Sequence, residues 1–117
     1  MNQLQELSPV EIRKLMGEGK IVLVDVREPQ EYVADRIHGA LLFPLSTFDA
    51  KALPAPGASR VVFHCGTGKR SAMAVAKALQ QGVAHTAHMS GGIQAWKAAG
   101  LPTIGLDPAS GTVVDRR

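Results

Sequence analysis

Arg60-Val61-Val62-Phe63-His64-Cys65-Gly66-Thr67-Gly68-Lys69-Arg70-Ser71 is a short apolar run, a lone cysteine and a glycine-bearing turn with two adjacent cations. Ala72 to Gln81 follows at once, rich in Ala, Met and Leu. The run Arg60 to His64 is β-branched and too short for a helix, so it reads as a strand buried on both faces. The stretch from Lys69 or Arg70 to Gln81 reads as a strong helix, ended by Gly82, with Met73, Val75, Ala76 and Leu79 on its packing face. Cys65 then lies at the C-terminal end of a buried strand, directly before a helix. Parallel α/β sheets carry their sites at such strand ends.

The flanking sequence repeats this alternation. Ser8-Pro9-Val10-Glu11 opens a helix that runs to about Gly17: Ser8 caps, Pro9 fits the first helical position and Glu11 completes a capping box. Ile21 to Val26 is a second buried strand, and Glu28 to Ala34 a short helix beginning at Pro29. Ala40 to Phe43 is a short strand, Leu45 to Ala52 a helical stretch, and Pro54-Ala55-Pro56-Gly57 a loop. Thr86 to Met89 is a weak strand. Gly91-Gly92 is a turn, and Ile93 to Ala99 a helix closed by Gly100-Leu101-Pro102. Strands alternating with helices predict an α/β fold with a mostly parallel sheet. The expected organisation is one domain over residues 1–106, with residues 107–117 as a flexible C-terminal tail.

Composition narrows the classes. A chain of 117 residues, 45% apolar and 20% charged, builds one core without staples and is not generally disordered. No apolar run reaches the roughly 18 residues of a spanning helix, and no basic flank leads an apolar stretch near Met1. A cytoplasmic protein is the expectation. With one cysteine there is no intrachain disulfide and no four-thiolate zinc site. Thirteen basic against 10 acidic residues leave +3, a mild bias that suits anionic small substrates. Aromatics are limited to Phe43, Phe48, Phe63, Tyr32 and Trp96, too few for a nucleic-acid stacking platform. Neither a nucleic acid nor a membrane is an expected partner.

The chemistry centres on Cys65. Gly66 and Gly68 let the backbone curl so that several N–H groups point at the sulfur. The helix N-terminus adds its positive dipole end, and Lys69 and Arg70 add formal charge. All of these favour the thiolate, which is the nucleophile, or an anion bound above it. Three readings compete. A nucleotide phosphate loop needs glycine where Phe63 stands and Ser or Thr where Arg70 stands, so it fails. A cysteine phosphatase needs five residues between its Cys and Arg, and four separate Cys65 from Arg70. The shorter loop makes a tighter cradle, better matched to one sulfur atom, as in a sulfurtransferase that carries a persulfide on Cys65.

The wider motif set resembles that of the single-domain rhodaneses, the thiosulfate sulfurtransferase family. Cys65-Gly66-Thr67-Gly68-Lys69-Arg70-Ser71 is similar to the family's Cys-x-x-Gly-x-Arg-Ser loop. Upstream stand Asp25-Val26-Arg27, Glu31-Tyr32 and Ile37-His38-Gly39-Ala40; downstream stand Gly91-Gly92 and Trp96. The motifs keep the family's order over roughly residues 4 to 102. Arg36 and His38 depart from the commoner His and Pro, both outside the active loop.

The resemblance implies a five-stranded, mostly parallel sheet with helices on both faces. It implies a double displacement in which the Cys65 thiolate takes the outer sulfur of thiosulfate or a persulfide donor and hands it to cyanide or a thiol. The rival reading is a rhodanese-fold module that relays sulfur to, or docks on, an acceptor protein without turnover. An arsenate reductase often recruits further cysteines, and none is available here.

The remaining residues have plainer expected roles. Gly66 to Ser71 form the active loop; Lys69 and Arg70 either attract the dianion or, for Arg70, point away and lock the loop. Ser71 either donates toward the sulfur or caps the helix. Asp25 and Arg27 read as a structural ion pair or loop anchor. His64 neighbours Cys65 but points to the opposite face of its strand. His85 and His88 are three apart, on opposite faces of a strand, with nothing to complete a metal set, so no metal or cofactor is expected. Trp96 reads as core.

Overall fold

The computed structural model describes residues 4–57 and 59–116. Met1 to Gln3 and Arg117, at the two ends of the expected domain and tail, lie outside the described residues. Strands β1 (Gln5–Leu7), β2 (Ile21–Asp25), β3 (Leu41–Leu42), β4 (Arg60–His64) and β5 (Ala87–Met89) form one sheet in the order β1-β5-β4-β2-β3. Every pairing in it is parallel. Helices α1 (Pro9–Gly17), α2 (Pro29–Ala34), α3 (Lys69–Gln80) and α4 (Gly92–Ala98) alternate with these strands.

The local signals form as read. The Ser8 hydroxyl oxygen accepts the Glu11 N–H at 3.2 Å, and the Glu11 carboxylate accepts the Ser8 N–H at 3.0 Å. The apolar runs are buried on both faces because alternate side chains enter different cores. Ile21, Leu23 and Val62 pack with Ile12, Ile93 and Trp96 on one side. Val24, Val61 and Phe63 pack with Phe48, Ala74, Val75 and Ala78 on the other. Each fully buried side chain of this size contributes about 1.5–3 kcal/mol. Trp96 is core, and its indole N–H donates to Pro102 O at 2.8 Å.

Three elements differ from expectation. The Leu45–Ala52 stretch is two 3₁₀ turns, Leu45–Thr47 and Ala50–Ala52, because Phe48 and Asp49 are extended and Phe48 turns into the core. β1 was not expected; it is a short, polar edge strand added beside β5. The segment after Gly105 is not a loose tail. β6 (Thr103–Asp107) and β7 (Thr112–Arg116) pair antiparallel as a hairpin. Asp107 organises the turn, its carboxylate accepting from Ala109 N–H at 3.1 Å and Ser110 O–H at 3.0 Å. Arg116 ties the hairpin to the end of α2 by donating to Ala34 O at 3.1 Å. Among the described residues, no helix is long and apolar enough to cross a membrane.

Candidate active site

The β2–β4 register sets Asp25 beside His64, so the two strand ends meet directly beneath Cys65. The chain then turns through Gly66, Thr67 and Gly68 into α3. Gly68 adopts φ +109°, a conformation glycine alone takes readily, and leaves α3 with no side-chain cap. The Cys65 sulfur takes that place. Gly68 N–H donates to Sγ at 3.0 Å and Ser71 N–H at 3.3 Å. The sulfur thus stands where a cap would, at a helix N-terminus that favours negative charge on it. Burial pushes the thiol up, but hydrogen bonds from the Ser71 side chain and from the N–H groups of Ser71, Gly68 and Thr67 outweigh it and hold it below its ordinary value. Cys65 is only 1% exposed.

A second helix holds the loop from behind. Ile93 N–H at the start of α4 donates to Cys65 O at 2.8 Å, and Gln94 N–H donates to Gly66 O at 3.2 Å. Because the loop carbonyls are bound this way, its N–H groups remain turned to the sulfur. Gly92 permits the approach: a Cβ there would meet Cys65 O and stand 2.5 Å from Gly66 C.

The two loop cations separate in role. Arg70 makes a two-pronged pair with Glu31, Nη1 to Oε1 at 2.7 Å and Nη2 to Oε2 at 3.0 Å. The Arg70 guanidinium holds the Glu31 carboxyl down to about 2, against the opposing effect of burial. Glu31 also accepts the Glu28 N–H at 3.0 Å in the capping box of α2. Arg70 therefore clamps the loop to α2. The pair is partly exposed, so its worth is orientation more than stability. Lys69 is exposed and takes part in no ion pair among the described residues.

Asp25 and Arg27 form the buried ion pair expected of them. The Arg27 Nη2 donates to Asp25 Oδ2 at 2.8 Å and to Asp35 O at 2.7 Å. His64 contacts this pair, not the sulfur. Its Nε2 lies 3.5 Å from Asp25 Oδ2 and its Nδ1 3.3 Å from Cys65 O. Burial pushes its pKa down, so the ring is neutral.

The model of the family described as the rhodanese-like domain matches residues 8–99. The chain belongs to the rhodanese-like domain family.

Among its relatives, an uncharacterized protein of Synechocystis sp. is 37% identical over 98 residues, which are 84% of this chain and 55% of that one. The chain thus spans about half the length of that relative. A sulfurtransferase of Allochromatium vinosum is 34% identical over 92 residues, 79% of this chain and 86% of that one. A thiosulfate:glutathione sulfurtransferase of Saccharomyces cerevisiae is 30% identical over 121 aligned positions, 91% of this chain and 87% of that one. The crystal structure of a rhodanese-related protein from Thermoplasma volcanium superposes with a TM-score of 0.73 at 27% identity, covering 85% of this chain and 96% of that one.

All the loop residues singled out from Cys65 to Ser71 stand together in this rhodanese-like domain. Two neighbours of the site were not among the expected site residues. His88 on β5 is buried, with Nδ1 2.6 Å from Ser71 Oγ. Glu6, on the unexpected β1, lies 3.3 Å from His88 Nε2. His85 lies before β5 rather than within it, and contacts Pro54 O at 2.8 Å.

Proposed function

We propose that this rhodanese-like domain is a sulfurtransferase that moves a sulfane sulfur from thiosulfate to a thiol or cyanide through a persulfide on Cys65. The observation that carries the reading is the sulfur of Cys65 seated as the cap of α3, with Gly68 and Ser71 N–H groups aimed at it. In the first half-reaction the Cys65 thiolate attacks the outer sulfur of thiosulfate. A new S–S bond forms, the old one breaks, and its electron pair leaves on sulfite. The acceptor thiolate or cyanide then attacks the outer sulfur of the persulfide and returns Cys65 as thiolate. Splitting the transfer lowers each barrier. The inward N–H groups hold negative charge on sulfur in both states.

Two further observations favour sulfur over phosphate. The Allochromatium and yeast relatives are named as sulfurtransferases. Arg70, which would have to reach inward to clasp a phosphate, is bound to Glu31.

Incubation with thiosulfate is expected to add one sulfur atom, about 32 Da, to the intact mass. Cyanide removes that mass, and Cys65→Ser never acquires it. No gain in the wild type overturns thiosulfate as donor; a persulfide donor or a docking partner then takes its place.

Lys69 is exposed in the active loop and takes part in no ion pair among the described residues. Lys69→Ala is expected to raise the KM for thiosulfate by about three- to tenfold at low ionic strength, with kcat changed less than about twofold. The effect shrinks as salt is added, because screening removes a long-range attraction. An unchanged KM at low salt removes Lys69 from donor recruitment.

A further inference from the structure

We propose that His88 is a positioning residue for Cys65: through the Ser71 hydroxyl it takes up the thiol proton, and Glu6 connects it to solvent. This inference rests on Cys65 being the nucleophile, but not on which sulfur donor it uses.

The Ser71 hydroxyl has one hydrogen and three neighbours within reach of it. Gly68 O lies at 3.1 Å, His88 Nδ1 at 2.6 Å and Cys65 Sγ at 3.6 Å. Ser71 is fully buried and His88 is 3% exposed, so no bulk water relieves the competition. At the other end of the imidazole, Glu6 Oε2 is 3.3 Å from Nε2 and faces solvent. A carboxylate there accepts, so in the tautomer it selects Nε2 carries the proton and Nδ1 accepts. Ser71 then donates to His88, and the Cys65 thiol donates to the Ser71 oxygen.

That chain is set for transfer. When the thiolate forms, the S–H bond breaks and its proton passes to Ser71 Oγ. The original Ser71 proton passes to His88 Nδ1. His88 becomes an imidazolium facing the Glu6 carboxylate, and the Ser71 hydroxyl now donates to sulfur. No electron changes hands, and protons and charge balance within Cys65, Ser71 and His88. His88 pairs across the sheet with Glu6 on β1 and Phe63 on β4, and meets Ser71 and the Gly68 turn from α3. Glu6 is the titratable group in contact with it among the described residues, and Cys65 lies beyond Ser71.

The test reads the thiol itself. Rates of iodoacetamide alkylation against pH, checked by ultraviolet thiolate absorbance, give the apparent pKa of Cys65 in wild type, His88→Asn, Ser71→Ala and the double variant. Asn keeps an acceptor for Ser71 but takes no proton. Each single variant is expected to raise the thiol pKa by about one unit, a tenfold slower alkylation below it. The double variant should rise no further than either single, since both cut the same path. A merely structural His88 would lower the melting temperature without moving the thiol pKa, and that result overturns the proposal. Additive shifts also overturn it. If His88→Asn does not fold, Glu6→Gln at the surface must raise the thiol pKa by a smaller amount; no shift sinks the relay. Failure of thiosulfate loading with these shifts intact counts against the donor, not against His88.

Discussion

Gly92→Ala is expected to destabilise the protein by about 2–5 kcal/mol and to abolish sulfur loading in whatever fraction stays folded. Two independent costs combine. Gly92 has φ +62°, where a side chain adds strain of about 1–3 kcal/mol. Its new Cβ would also stand 2.5 Å from Gly66 C and 2.6 Å from Gly66 O, besides meeting Cys65 O. These are backbone atoms and cannot swing aside. Relief requires α4 to back away from the active loop, which breaks the bonds from Ile93 N–H to Cys65 O and from Gln94 N–H to Gly66 O. The freed loop carbonyls would then be able to turn inward, where N–H groups now face the sulfur. Gly17→Ala is the control. A Cβ at Gly17 meets nothing within 4 Å, and its backbone is helical, so that change should be neutral or slightly stabilising. Denaturant melts of both variants, with intact mass after thiosulfate, check the pair. Gly92→Ala as stable and as reactive as Gly17→Ala would show that α4 does not hold the loop.

Why Gly91-Gly92 matters was not legible in the sequence, although the motif was. Its two glycines read as a turn; only the fold shows that one is the contact surface for a loop 26 positions away, the difference between Gly92 and Gly66. The elements that were legible carry their cause locally. Ser8 and Glu11 make a box within four residues, and the apolar runs at Ile21 and Arg60 announce strands covered on both faces. Cys65 at a strand end before a helix gave the place of the site, and its spacing to Arg70 limited what the loop can enclose.

What escaped depends on partners distant in sequence. Gln5-Glu6-Leu7 has no apolar periodicity, and is a strand because β5 offers an edge to pair with. The hairpin after Gly105 did carry a signal: Asp107-Pro108-Ala109-Ser110-Gly111 is rich in turn formers, flanked by Thr103-Ile104 and Thr112-Val113-Val114. Its register, and its anchor through Arg116 on Ala34 O, come from the folded chain. Arg70 had two open roles in the sequence, and its partner Glu31 stands 39 residues earlier. His88 carries no assigned role in the sequence beyond not forming a metal pair with His85, because its neighbours Ser71 and Glu6 are 17 and 82 residues away.

Asp25→Asn and Arg27→Met are each expected to cost about 3 kcal/mol or more, while the double variant costs less than their sum by more than about 1.5 kcal/mol. The pair is almost fully removed from water, with side-chain exposures of 0% for Asp25 and 6% for Arg27. Asp25 accepts from Arg27 N–H at 2.9 Å, from Nε at 3.0 and 3.1 Å and from Nη2 at 2.8 Å. Removing either partner leaves the other charge buried without its counterion, which is where most of the loss arises. Removing both leaves no charge to solvate, so part of the loss returns. Asn is chosen because its carbonyl still accepts the Arg27 N–H, which isolates the charge from the turn it stabilises. His64 lies between Asp25 and the strand end, with Nε2 3.5 Å from Asp25 Oδ2 and without a hydrogen bond, and with Nδ1 3.3 Å from Cys65 O. A shift of Asp25 therefore reaches the strand end that carries the nucleophile, without any contact to sulfur. Denaturant unfolding of the four proteins in the cycle decides it. Additive losses would mean that the two residues stabilise the fold separately, and the ion pair beneath the loop would then be incidental.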